Sequence, residues 1–343
     1  MRAAAGAAVA LLLAACHAGT DRVVEQRLLA MGTWVDIAIR TDDAPRAGAA
    51  IGEAGRLLRG FGRNYYPWAD GELAQVNEAI GAGRAARVDP GLASLLEKAQ
   101  QLSARSGGAF DPGVGALVQL WGFNDAANPP DAPPDRAAIA AWLKDPASIA
   151  ALRVDGDRVS ASRRTLLIDL GGIAKGEAVD RIVRLLTDAG FDDVLVNAGG
   201  DLRAVGRRAG RGWRVGIKAP RGPGLLGVVE LDSGEAAFSS GDYERYYDFH
   251  GKRMHHILDP ATGYPVDHTR AVTVIAADGV TADAAATAVF VAGPDRWQQV
   301  ARALGVKLVL RVDASGRIQM TREMRERLQE AEDLDSDIIV VNS

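Results

Sequence analysis

The chain has 343 residues and a formal net charge of −4, with acidic and basic residues interspersed. That pattern excludes the basic footprint of a nucleic-acid binder. The length suffices for a large core, as one big domain or two intimately packed lobes. Beyond the N-terminus no stretch approaches about eighteen consecutive apolar residues, so nothing in the body reads as a membrane-spanning helix.

Met1-Arg2 is a short positive start, and Ala3 to Ala15 is an unbroken apolar or small run. It is too short for a stable bilayer helix and suits a signal-peptide core. The run ends in Leu13-Ala14-Ala15-Cys16, which resembles the lipobox of bacterial lipoproteins. Cys16 is the only cysteine, so an exported chain has no disulfide framework, and lipidation would remove an otherwise exposed thiol. The expected organisation is a lipoprotein signal peptide at 1–15, lipidation on Cys16, a polar tether over 16–27, and one domain over 28–320. A sub-boundary is placed near 125–150, where Pro129, Pro130, Pro133 and Pro134 mark an exposed connection. Residues 321–343 form an unassigned extension. The protein is expected on the periplasmic side, lipid-anchored to the inner or outer membrane.

Leu28 to Ile39 reads as a strand that begins the fold. Ala50, Ile51, Ala54, Leu57, Leu58 and Phe61 give helical spacing over 44–61, and a second helix covers 90–105 before Ser106-Gly107-Gly108. From Val154 strand-like runs alternate with loops. A helix runs from about Ile173 to Ala189 with Gly190 as its stop. A hairpin joins Trp213–Ile217 to Val228–Leu231. Another helix starts near Thr281, with Thr281 as N-cap, and ends before Gly293-Pro294. Ile338 to Val341 is abruptly apolar and has no assignment.

Four segments could carry chemistry. In Ile168-Asp169-Leu170-Gly171-Gly172-Ile173-Ala174-Lys175-Gly176 a strand runs through Gly-Gly into a helix. Unpaired N–H groups at a helix start can hold an anion, and Lys175 in the first turn is disfavoured unless something negative lies nearby. The spacing is not that of a Walker A loop. Taken alone, the segment is equally a tight turn with a solvated lysine. Asn197-Ala198-Gly199-Gly200-Asp201 again pairs glycines with an acid, and is also readable as a strand-to-strand turn.

Four of the five histidines lie between 250 and 268. His255 and His256 are adjacent on a strand and face opposite ways, so one is functional and the other structural or exposed. His256 with Asp259 three residues on fits a general-base and orienter pair, and a merely exposed strand-end histidine fits either ring equally when taken alone. In Thr281-Ala282-Asp283-Ala284-Ala285-Ala286-Thr287 the carboxylate of Asp283 and the hydroxyl of Thr287 share a helix face. Both are hard-oxygen donors of the kind Mg²⁺ accepts. Taken alone, the segment reads better as an Asp stabilising a helix start beside a Thr bonded back to the chain. Gly222-Pro223-Gly224-Leu225-Leu226-Gly227 matches G-x-G-x-x-G on paper, but it lies between two strands and opens no helix, so it is a hairpin loop.

In chain order these segments resemble the FAD:protein FMN transferase family, the ApbE-type flavin transferases, from about Leu28 to about Leu310. The anchors are Met31-Gly32-Thr33, Gly108 to Pro112, Ile168 to Asp180, Asn197 to Asp201, Ser240 to Arg245, His256 to Tyr264, and Ala282-Asp283 to Gly293. The resemblance implies an α+β fold of two interleaved lobes, with mixed, mainly antiparallel sheets flanked by helices and an FAD cleft between them. It implies flavin contacts at Met31, Trp68, Ala109, Phe110, Asp111, Asp169, Lys175 and the backbone of Ile257. It places Mg²⁺ on the Gly172 carbonyl, Asp283 and Thr287, and catalysis on His256. The implied reaction transfers FMN from FAD (as substrate) to a Thr or Ser hydroxyl of an acceptor protein, a membrane redox subunit, and releases AMP. A Mg²⁺-dependent FAD diphosphatase and a non-catalytic flavin-binding lipoprotein are the alternatives. The chain departs from the family at Tyr65-Tyr66-Pro67-Trp68, where any of the three rings could stack on a ligand. A second departure is Ala286, where some members carry a further acid.

Overall fold

The structure is a computed structural model that describes residues 22–125, 127–207, 210–330 and 337–342. The expected signal peptide and Cys16 lie outside the described residues. The central element is a nine-stranded sheet. Its strands run in the order Val23–Ala30, Thr33–Arg40, Val194–Ala198, Asp201–Val205, Ala236–Gly241, Thr269–Ala276, Leu308–Asp313, Ile318–Thr321 and Ile338–Val341. Every neighbouring pair is antiparallel except the last. The fold class is therefore α+β with mainly antiparallel sheets, as expected.

The alternation of side chains along each strand explains how the sheet is covered on both faces. Val35, Ile37 and Ile39 point to one face and join Val194 and Val196 in a core closed by the helices Ala44–Asn64, Pro90–Arg105, Ala174–Asp188 and Gly279–Leu304. Ala38, Leu202, Ala204 and Ala237 point to the other face. There they meet Trp213, Val229 and Leu231 of a three-stranded sheet built on the hairpin Trp213–Lys218 and Leu225–Leu231. Ile149, Leu152 and Val159 belong to the same core as Val35, so the connection at 125–150 does not open a second core. A smaller cluster of Leu117, Trp121, Phe123, Ile139, Tyr247 and Leu258 has Trp68 packed against it. Among the described residues no helix is long and apolar enough to cross a membrane.

The structure differs from expectation at four points. Leu28 to Ile39 is two strands, not one, because Met31 and Gly32 both take positive φ (52° and 72°) and turn the chain into a hairpin. Its first strand begins at Val23, so residues 23–27 of the expected tether are sheet. The helix over Asp283 begins at Gly279, not Thr281. Asp278 is its cap, accepting from the Thr281 N–H at 2.7 Å and the Thr281 hydroxyl at 2.9 Å. This helix kinks at Gly293 (φ 69°, ψ −170°), and Pro294 starts a second stretch that runs on to Leu304. Finally, the extension folds back: Gln329–Glu330 pairs with Leu225–Leu231, and Ile338–Val341 pairs in parallel with Ile318–Thr321.

The two helices that carry the site approach closely at a pair of glycines. A Cβ on Gly176 would lie 2.3 Å from the Gly279 carbonyl oxygen, so only glycine permits this approach. Beside it, buried Asp180 accepts from Gly279 N–H at 2.8 Å, Val280 N–H at 3.2 Å and Arg203 at 2.8 Å. Asp180→Ala is expected to lower stability by about 3–5 kcal/mol, because it strands a part-buried guanidinium and two helix-start donors. Urea unfolding measures this, and a loss under about 1 kcal/mol would contradict the assignment.

Candidate active site

Three elements converge on the first turn of Ala174–Asp188. Asp283 lies in the second turn of the neighbouring helix and is buried, and its Oδ2 accepts from the Gly176 N–H at 3.0 Å. One turn on, the Thr287 hydroxyl is 3.3 Å from Ser240 Oγ. Gly172 closes the group: a Cβ there would meet Thr287 Oγ1 at 3.0 Å and the Phe110 ring at 3.4 Å. The three expected metal ligands thus share one place, with donors of the hard-oxygen type a small divalent cation takes. Burial raises the pKa of Asp283, and Lys175 only partly opposes this, so a further cation suits the carboxylate. Among the described residues no three His, Cys, Asp or Glu side chains gather to hold a metal. The set depends on one carboxylate, a hydroxyl and a carbonyl.

Lys175 forms an ion pair with buried Asp201, whose other oxygen accepts from the Ser239 N–H at 2.8 Å. Burial disfavours the ammonium, but Asp201, Asp283 and Glu244 overcome that and hold it charged. The cation expected to need an external anion therefore already has an internal one. Asp201, Ser240 and Arg245 are site residues that the sequence did not single out for roles. The only signal was their place inside the Asn197–Asp201 and Ser240–Arg245 segments.

Asp169 accepts from the Gly171 N–H at 2.7 Å, and the Trp68 side chain lies close enough to lower its pKa against the effect of burial. The three rings differ in their surroundings. Tyr65 stacks on Phe61 at 3.9 Å and bonds Arg181 at 2.6 Å, so it belongs to the core. Tyr66 is exposed and donates to the Asn124 carbonyl at 3.2 Å. Trp68 and Tyr66 both lie near Asp169, which adjoins the Gly-Gly turn. Ala109 and Phe110 are buried behind Gly172. Asp111 is occupied elsewhere, since its Oδ1 accepts from Gly113 and Ile149 N–H groups, both at 2.8 Å, and ties two loops together. Met31 sits at the hairpin tip, half-buried against Ala44–Asn64.

The two adjacent histidines separate as the strand alternation requires. Buried His255 accepts from the Ile257 N–H at Nδ1 (3.3 Å), and its Nε2–H donates to the Val266 carbonyl at 2.6 Å, so both nitrogens are used in the fold. His256 is bonded through Nδ1 to the Arg245 carbonyl at 3.2 Å. A carbonyl only accepts, so Nδ1 carries the proton. Burial, then Arg245 and His255, hold the ring well below its ordinary pKa and hence neutral, which leaves Nε2 bare. His256 is thus presented as a base.

Asp259 does not orient it. Its carboxylate caps its own turn, accepting from the Ala261 N–H at 2.8 Å, and the Arg245 carbonyl holds His256 instead. The physical reason is that the chain turns back at Asp259, whose carbonyl takes the Gly263 N–H at 2.8 Å. The Ile257 N–H and carbonyl are both engaged within the fold, by His255 and by the Val266 N–H at 3.1 Å.

A groove of about 860 Å³ lies along Ala174–Asp188, lined by Lys98, Glu177, Asp180, Arg181, Arg184 and Arg203 among others. It contains none of the expected site residues, and much of its charge is paired internally.

Residues 31–310 match the family model described as ApbE family. A Rhodobacter capsulatus protein named FAD:protein FMN transferase is 40% identical over 311 residues, covering 90% of this chain, which spans 59% of that relative's length. A Haemophilus influenzae protein of the same name is 32% identical over 322 residues, covering 89% of this chain and 91% of that one. The crystal structure of an ApbE protein from Thermotoga maritima superposes with a TM-score of 0.80 at 34% identity, covering 90% of this chain and all of that one. The flavin transferase ApbE from Vibrio cholerae gives 0.79 at 27%, over 90% and 99%. The Gly-Gly turn, the Asp283–Thr287 face and the bare Nε2 of His256 stand on a scaffold shared along nearly the whole chain, which belongs to the ApbE family.

Proposed function

We propose that this protein transfers FMN from FAD to a Thr or Ser hydroxyl of an acceptor protein, with Mg²⁺, forming a phosphoester and releasing AMP. The observation that carries the reading is the closure of Gly172 on Thr287 beside Asp283 and Lys175 at the start of Ala174–Asp188. The relatives named FAD:protein FMN transferase support the same chemistry.

Displacement at phosphorus is mostly positioning and charge neutralisation. Asp283, Thr287 and the Gly172 carbonyl would hold Mg²⁺, which when bound neutralises the diphosphate. The Lys175 ammonium faces the same charge, while the Ala174 and Gly176 N–H groups of that helix start are already bonded to the Leu170 carbonyl and Asp283. His256 Nε2 takes the proton of the acceptor hydroxyl as its oxygen bonds the FMN phosphorus. The bond from that phosphorus to the bridging oxygen breaks, and AMP leaves with the electron pair.

The acceptor of this reading is a membrane redox subunit, and we place the enzyme beside it, exported and held on the periplasmic side by a lipid on Cys16. Incubation with FAD, Mg²⁺ and an acceptor protein carrying the target Thr or Ser tests the catalytic reading. We expect Mg²⁺-dependent release of AMP, whereas tight FAD binding without any turnover would leave only a flavin-binding protein.

A further inference from the structure

We propose that the Arg245 guanidinium binds a non-bridging phosphate oxygen of the FAD diphosphate, an inference that rests on the transfer reading above. Arg245 immediately precedes the strand Tyr246–Phe249, and its carbonyl accepts from both the N–H and Nδ1 of His256, so its main chain is fixed at the site. Its side chain is not similarly held. The residue is exposed, and the guanidinium makes one long contact, 3.4 Å to the Phe123 carbonyl. Around the sheet Lys175 has Asp201, Arg203 has Asp180 and Arg221 has Asp242, while buried Arg311 is held by Thr269, Gln319 and the His268 carbonyl. Among the described residues none forms an ion pair with Arg245. Its charge instead faces Asp169, Tyr66 and His256, which come from three separate segments around the cleft.

The charge balance of the site favours this role. Asp169, Asp201, Glu244 and Asp283 bring carboxylates around Lys175 and Arg245. A doubly negative diphosphate entering such a site needs every cation available, and Lys175 is already shared between Asp201 and Asp283. A guanidinium also presents a planar fork of donors that matches phosphate oxygens, which an ammonium does not.

The test compares Arg245→Gln and Arg245→Lys with the parent protein in the presence of Mg²⁺. Three quantities are read: FAD affinity by flavin fluorescence, riboflavin affinity by competition, and kcat/KM for FAD. Riboflavin carries the same ring system without phosphate. Arg245→Gln is expected to lose about 10²–10³-fold in kcat/KM, with FAD affinity weakened and riboflavin affinity unchanged, and Arg245→Lys is expected to recover part of the loss. The side-chain change leaves the 245 carbonyl in place, so His256 keeps its tautomer. Equal weakening of FAD and riboflavin would show a structural role and overturn the proposal, as would unchanged behaviour in both variants. Should the parent bind FAD and transfer nothing, the transfer reading fails, while the comparison of FAD with riboflavin still decides the role of Arg245.

Discussion

Asp283→Ala is expected to lower turnover by at least about a thousandfold while some FAD binding survives, an effect worth roughly 4 kcal/mol of transition-state stabilisation. Asp283 is the one carboxylate of the proposed ligand set, since its companions are a hydroxyl and a backbone carbonyl. Removing it takes away the anionic donor and leaves Lys175 matched by Asp201 and Glu244 alone. Asp283 also accepts the Gly176 N–H, so alanine disturbs the junction of the two helices as well. Asp283→Asn separates these effects, because its amide oxygen still accepts that hydrogen bond while the charge is gone. The asparagine variant should unfold near the parental midpoint and still be inactive across a Mg²⁺ titration. Normal Mg²⁺-dependent AMP release from either variant would show that the metal site is placed wrongly.

His256→Asn should reduce kcat by about 10²–10⁴-fold, the range typical of losing a positioned general base. The asparagine amide can still donate to the Arg245 carbonyl where Nδ1 did, but nothing replaces Nε2. The pH dependence has a definite sign. The neutral ring is the active form, and burial together with the Arg245 charge and His255 lowers its pKa. The base therefore stays available below the ordinary histidine value of about 6.5, and activity falls only as pH drops through the lowered pKa. At saturating Mg²⁺ the acid limb of kcat/KM should lie below about 6.5 in the parent and vanish in His256→Asn. A limb at or above that value, or an asparagine variant with near-parental kcat, would remove His256 from the role of base.

The parts of the site legible in the sequence are those set by local geometry. Asp283 and Thr287 are one helical turn apart, so their shared face follows from spacing. The opposed directions of His255 and His256 follow from strand alternation, and the two rings do have separate environments. The Gly-Gly turn into a helix at 171–174 is likewise local. What was illegible depends on partners brought from elsewhere in the chain. Lys175 meets Asp201, and Asp180 caps a helix that begins at Gly279. Neither follows from spacing, because strand order in the sheet decides both. The Arg245 carbonyl displaced Asp259 as the orienter of His256 for the same reason: a main-chain group from the neighbouring strand lay nearer than a side chain committed to its own turn. In the fold, Ile338–Val341 had no periodicity to classify. It becomes a strand only because Ile318–Thr321 offers it an edge. The hairpin at Met31 was hidden because a non-glycine residue takes positive φ there.

The most direct test of the central claim is the partition of FMN between acceptor and water. The protein is incubated with FAD, Mg²⁺ and an acceptor carrying the target Thr or Ser, and AMP release is compared with acceptor mass by intact-protein mass spectrometry. The predicted result is one acceptor shifted by an FMN phosphoester for each AMP released, and an unshifted acceptor when the target hydroxyl residue is replaced by alanine. Free FMN and AMP as the sole products, with a genuine acceptor present and unmodified, would contradict transfer and leave an FAD diphosphatase.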